Sequence, residues 1–97
     1  MHADILTVSI QPGKGEEAVG LYRDVGAAVD KQQPEFKAVY LLRGSDPNKL
    51  VVVGLRETKA NSEAWQSSEA YQGWRGQLVG IMAGPPVLEG YEVAAQA

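Results

Sequence analysis

Lys49-Leu50-Val51-Val52-Val53-Gly54-Leu55-Arg56-Glu57 reads as a strand, and the segment after it decides the architecture. Val51-Val52-Val53 is apolar at consecutive positions, so both faces of this strand are at least partly covered. Thr58 to Trp65 comes next, with a short helical turn around Asn61 to Trp65. Gln66-Ser67-Ser68-Glu69-Ala70-Tyr71 then opens a helix that carries Trp74 and Arg75. A strand that runs into a tryptophan-bearing turn and an aromatic helix can wall a pocket.

Upstream, Gly44-Ser45-Asp46-Pro47-Asn48 is a hairpin loop joining this strand to Phe36–Arg43, where Phe36, Ala38, Tyr40 and Leu42 alternate with Lys37, Val39, Leu41 and Arg43. Before that, Gly15 to about Gln33 has helical spacing. Ala18, Tyr22, Val25 and Val29 form one apolar stripe, with Asp24, Asp30 and Lys31 on the other side, and Pro34 is the expected stop. Asp4 to Ile10 alternates with a period of two and reads as the first strand, broken by Pro12-Gly13-Lys14-Gly15. Downstream, the helix from about Ser68 runs to Ala83, Gly84-Pro85-Pro86 stops it, and Val87 to Val93 is the last strand.

The order strand, helix, strand, strand, helix, strand predicts an α+β fold of the ferredoxin-like split βαβ type. Right-handed crossovers place both helices on one face of a four-stranded antiparallel sheet. The other face is left bare, and its apolar side chains call for a cover. A second copy of the chain, related by a two-fold axis, is the simplest one. A homodimer through the open sheet face is therefore expected.

The 97 residues suit one domain. A net charge of −3 with scattered Lys and Arg argues against nucleic acid and acidic membrane surfaces as partners. The absence of cysteine excludes disulfides and thiolate metal sites and is compatible with a cytoplasmic location. Met1-His2-Ala3-Asp4 does not resemble a signal peptide, and no apolar run approaches the roughly 20 residues of a membrane helix. With one histidine, a metal site would need carboxylates alone, and Glu57, Glu63, Glu69, Glu89 and Glu92 show no ligand spacing. No metal or other cofactor is expected, and His2, near the chain end, is expected to have no role.

Arg75 falls inside the stripe of Tyr71, Trp74, Leu78 and Met82, where a charge must escape to an edge or point into a polar cavity. The second alternative makes it an anion or carbonyl clamp. Trp65 is a core plug or a flat binding wall, and Trp74 is core. Tyr40 and Tyr22 each need a partner for the phenolic hydroxyl, as structural hydrogen bonds or as proton donors in a cavity. Arg56 is either a surface partner of Glu57 or a charge at a cavity mouth. Thr7 could offer its hydroxyl to a substrate oxygen. Ser67-Ser68 suits a helix cap better than a nucleophile.

The run Leu50 to Glu57, the segment Ser62-Glu63-Ala64-Trp65-Gln66-Ser67-Ser68-Glu69-Ala70-Tyr71, and Gly84-Pro85-Pro86 before a strand ending Tyr91-Glu92-Val93 carry a resemblance. From Asp4 to Val93 the chain resembles the antibiotic biosynthesis monooxygenase superfamily of dimeric α/β barrels. The resemblance implies a homodimer with a cavity between sheet and helices in each subunit. Members similar to the quinone-forming branch oxidise aromatic compounds with oxygen and without metal or flavin. In the haem-degrading branch an Asn on the first strand, a Trp before the last helix and a haem-binding His ten residues later recur. Trp65 matches the Trp, but Thr7 and Arg75 stand at the other two positions, so haem degradation is not expected. Where the quinone-forming branch commonly has a Trp near the end of the third strand, Arg56 stands here.

The expected function is that of a cofactor-independent monooxygenase on a small aromatic or quinol-type substrate. Arg75 and Tyr40 are then the catalytic candidates, and Trp65, Thr7, Tyr22 and Arg56 the substrate-binding ones. The alternatives are a non-catalytic small-molecule binder or accessory protein on the same scaffold, and a non-oxidative isomerase or cyclase. Arg75 and Tyr40 converging in one cavity would favour an enzyme. A cavity filled by Trp65 and Tyr22 would favour a binding role.

Overall fold

The computed structural model describes residues 1–33 and 36–97. The stop expected at Pro34 lies outside the described residues. Strand β1 (His2–Ser9) is central, flanked by β3 (Lys49–Arg56) and β4 (Val87–Glu92), with β2 (Phe36–Arg43) outside β3. All three pairings are antiparallel, giving the order β2-β3-β1-β4. This is the ferredoxin-like α+β sheet expected from the element order.

The first crossover is α1 (Gly15–Leu21), a π-helical turn (Tyr22–Gly26) and α2 (Ala27–Asp30). The second is α3 (Lys59–Gln66), α4 (Glu69–Leu78) and a 3₁₀ turn (Val79–Ile81). The turn expected around Asn61 is thus a full helix. Thr58 and Asn61 close a reciprocal capping box at its start. The Ser68 hydroxyl accepts from the Tyr71 amide and starts α4, as a cap and not a nucleophile.

The π-helical turn corrects the expected helix face. An α-helix advances 3.6 residues per turn, but the wider turn at Tyr22–Gly26 shifts the phase of the residues after it. The sheet-facing residues become Ala18, Tyr22, Gly26 and Asp30 at a constant spacing of four, and Asp30 is buried. An unbroken 3.6-residue period would leave Asp30 on the solvent side, as expected from the sequence.

Period-two alternation sets the faces of the sheet. His2, Asp4, Leu6 and Val8 face the helices from β1, and Leu50, Val52, Gly54 and Arg56 face them from β3. At the Ser9/Lys49 end, Val8, Ile10, Ala18, Leu50 and Ile81 make an apolar core. Full burial of each large member stabilises by roughly 1.5–3 kcal/mol. At the opposite end the same face carries His2, Asp4 and Arg56, all buried. Between them lies a cavity.

Candidate active site

The cavity is ≈ 70 Å³ and lies between sheet and helices. Its walls are Leu6, Val39, Leu41 and Val52 from the sheet, Tyr22, Trp65, Tyr71, Trp74 and Leu78 from the helices, and Leu88 at its exposed rim. Cavities that take benzene are about 150 Å³. A ring therefore enters only with displacement of a wall side chain. Among the described residues, three charged ones line the cavity: Asp4, Asp30 and Arg56.

Asp4 and Arg56 form a buried ion pair, with Nη1 donating to Oδ2 at 2.9 Å. The remaining acceptor capacity of Asp4 is used by neighbours. His2 Nε2 donates to Oδ1 at 2.7 Å, and the Ser62 hydroxyl donates to Oδ2. Gln66 in turn donates to Ser62 Oγ at 2.9 Å. A buried pair is stable only when its geometry is good and further hydrogen bonds satisfy it. This one has three donors on the carboxylate, yet Arg56 Nε has no hydrogen-bond partner among the described residues. Trp65 Nε1 is in the same condition. Arg56 is 6% exposed and Trp65 4%, and an unmet buried donor costs about 1–3 kcal/mol.

Asp30 lies on the helical side of the cavity. Tyr22 Oη donates to its Oδ2 at 2.8 Å, and Gln33 Nε2 lies 3.5 Å from Oδ1. Burial pushes the Asp30 carboxyl above its usual range, and the Tyr22 hydrogen bond and the Arg56 charge only partly offset this. Burial, together with the Asp30 carboxylate, pushes the Tyr22 phenol far up, so Tyr22 stays a donor. Tyr22 packs edge-on against Trp74, with ring centroids 6.2 Å apart.

The arrangement is a desolvated carboxyl on one wall of a mostly apolar cavity, with Arg56 and Trp65 elsewhere on the lining, each holding a buried N–H that lacks a partner among the described residues. Such a set can take a proton from a ligand and hold the oxygen that becomes negative.

Of the six residues singled out from the sequence, Trp65, Tyr22 and Arg56 line this cavity. Tyr40, Thr7 and Arg75 do not. Tyr40 stands opposite Val53 on the outer face of the sheet and is 55% exposed. Its neighbours Val39 and Leu41 take the inner positions, so alternation forces the tyrosine outward. Thr7, opposite Val51 and Val87, shares that outer face. Arg75 is half-buried beside Tyr71, its guanidinium carbon 6.0 Å from the ring centroid. Arg75 and Tyr40 thus do not converge, and the enzyme arrangement expected from them is absent. Nor is Arg56 a surface partner of Glu57, which pairs instead with Lys37 at 3.2 Å.

Asp4, Asp30, Ser62 and Gln66 join the site without having been singled out from the sequence, and His2, expected to have no role, is instead buried against Asp4 because it lies on β1 in phase with it. Asp4 carries a signal: it is in phase with Leu6, Val8 and Ile10, so a charge sits on the apolar face of a strand, as Arg56 does on β3. Asp30 carries none, because its position depends on the π-helical turn.

Residues 1–77 match the family model described as antibiotic biosynthesis monooxygenase, and the chain belongs to that family. Comparison with curated proteins gave no match. Among solved structures, a Bordetella bronchiseptica protein provisionally described as an antibiotic biosynthesis monooxygenase is 20% identical, with a TM-score of 0.87, covering 97% of each chain. A Nitrosomonas europaea protein so described is 21% identical, with a TM-score of 0.83, covering 98% of this chain and all of the other. A mutant of SnoaB, a cofactor-independent oxygenase from Streptomyces nogalater, is 14% identical, with a TM-score of 0.82, covering 98% of this chain and 94% of the other. At these identities the likenesses establish the fold.

Proposed function

We propose that this protein is a cofactor-independent monooxygenase acting on a compact, single-ring phenol or quinol. The observation that carries the reading is one cavity lined by Asp30, with its raised proton affinity, and by Arg56 and Trp65, each of which holds a buried N–H without a partner among the described residues. The fold shared with an oxygenase described as cofactor-independent supports it.

Asp30 takes the phenolic proton, and Arg56 Nε and Trp65 Nε1 hold the resulting oxyanion. The anion's charge is delocalised onto a ring carbon that bears hydrogen, and that carbon reduces dioxygen to form a C–O bond. The peroxide so formed takes the proton back from Asp30. Loss of water across the C–H and O–O bonds leaves a quinone carbonyl. One oxygen atom enters the product and the other leaves as water, and Asp30 ends as it began. General-base catalysis of this kind contributes about 10²–10⁴-fold.

The same base and donors would also serve a proton transfer without oxygen, as in an isomerase. We further propose that two copies associate through the outer sheet face, consistent with the dimeric barrels typical of the family.

Oxygen uptake by the metal-stripped protein, with single-ring phenols and hydroquinones, tests the reading. Uptake that survives chelation and falls at least 100-fold in Asp30→Asn is expected. No uptake across the panel sinks the oxygenase reading. Turnover under anaerobic conditions would instead establish the isomerase.

A further inference from the structure

The charges around Arg56 bear on which ligands the cavity accepts. Resting on the cavity being the ligand site, we propose that the cavity selects neutral ligands over anionic ones, and that Asp4 sets this selectivity. The chosen class is a neutral ring compound that carries a hydroxyl and a carbonyl-type acceptor.

Arg56 is the only basic residue on the lining among the described residues, and its charge is already matched by the Asp4 carboxylate at 2.9 Å. What the guanidinium still offers is its Nε–H, a hydrogen-bond donor without net charge to spare. Trp65, also on the lining, carries a second such donor, its neutral and likewise buried Nε1–H. Asp30 adds a further carboxyl, and among the described residues no other cation faces it from the lining. A carboxylate ligand would meet two acidic side chains and one spoken-for cation, in surroundings where burial magnifies repulsion. A neutral ligand oxygen avoids that repulsion and, once its entry displaces a wall side chain, takes a hydrogen bond from the Arg56 or Trp65 N–H that lacks a partner among the described residues.

Asp4 is built into this role. Both of its cross-strand neighbours are glycine, Gly54 on β3 and Gly90 on β4. A Cβ at Gly54 would lie 2.6 Å from Arg56 Nη1, and one at Gly90 would lie 3.0 Å from His2 Cε1. The sheet is hollowed on either side of Asp4, and the hollows hold its two basic neighbours. Asp4 therefore acts through Arg56, as a positioning and charge-matching residue, while Arg56 makes the ligand contact.

The test is equilibrium binding of an isosteric pair, 4-hydroxybenzamide and 4-hydroxybenzoate, at pH 7.5 by titration calorimetry. The two probes share size and hydroxyl and differ in charge. The wild-type protein is expected to bind the amide at least tenfold more tightly than the carboxylate. In Asp4→Asn the preference shrinks, with the carboxylate gaining at least tenfold relative to the amide. In Asp30→Asn, a second variant that leaves the Arg56 pair intact, the carboxylate gains as well. Tighter carboxylate binding by the wild type overturns the proposal whatever the variants do. So does an unchanged ratio in a folded Asp4→Asn. Failure of both probes to bind overturns the cavity reading itself, and the selectivity with it.

Discussion

Asp4 and Gly54 face each other across β1 and β3, and the space a side chain at Gly54 would occupy holds the Arg56 guanidinium that pairs with Asp4. The contact explains why a glycine stands in the middle of an otherwise apolar strand, where it weakens the strand by itself. A Cβ there meets Nη1 at 2.6 Å, so the buried guanidinium must shift from its present position on Asp4. Gly54→Ala is expected to destabilise by about 1–3 kcal/mol through overpacking. It is also expected to weaken binding of a neutral phenol at least tenfold. Denaturant unfolding and calorimetry check the two effects. An alanine variant of wild-type stability and affinity would show that Arg56 has room elsewhere.

Asp30 carries a linkage of definite sign. Its carboxyl is raised in the folded state, so the fold binds this proton more tightly than the unfolded chain does. Its contribution favours folding most below the unfolded carboxylate value, about 3.9, and is lost as pH rises through the raised folded value. Asp30→Asn removes this slope. The variant is expected to gain stability relative to wild type as pH rises from about 4 towards neutrality, while losing activity. Melting curves across that range measure it. A difference between the two proteins that is flat with pH contradicts a raised carboxyl. Tyr22→Phe removes a hydrogen bond that lowers the same value, so it shifts the acid limb of the pH–rate profile upward.

The two arginines near the aromatic wall are expected to behave differently. Arg56 lines the cavity and Arg75 lies outside its lining, against Tyr71. Arg75→Ala is expected to leave ligand affinity within about twofold, since Arg75 packs on Tyr71 from outside the cavity lining. It does remove a charge that lowers the otherwise raised Tyr71 phenol, so that phenol titrates at still higher pH. Arg56→Lys keeps the charge but loses the Nε–H of the guanidinium plane. Its affinity for neutral phenols should fall at least tenfold. Equal behaviour of the two variants would remove the case for Arg56.

The fold is legible in the alternation of β1 to β4 and in two helical stripes, which are local and periodic signals. The site is less accessible for three separate reasons. Tyr40 reads as a cavity residue because an aromatic among apolar neighbours suggests burial, whichever face it takes. The strand pattern gives two faces but does not say which one the helices cover. Asp30 falls on the solvent side under a constant 3.6-residue period, and that period fails at Tyr22–Gly26, where the turn is wider. Asp4 and Arg56 sit 52 residues apart in the chain and meet only because β1 and β3 pair.

The outer face of the sheet supplies the last prediction. Tyr40, Leu42, Val87 and Tyr91 are exposed there, with Ile5, Val51, Val53 and Leu55 half-buried between them. Apolar side chains from all four strands thus share one surface, and water does not stabilise such a surface. Two copies meeting through it bury the same patch twice, as a two-fold interface does. Val53 is central, standing opposite Ile5 on one side and Tyr40 on the other. Val53→Asp places a charge in the middle of that contact without touching the cavity face. Sedimentation at micromolar concentration should give a dimer for the wild type and a monomer, or at least a 100-fold weaker dimer, for the variant. A wild-type monomer, or a variant dimer of undiminished affinity, rules out this face as the interface.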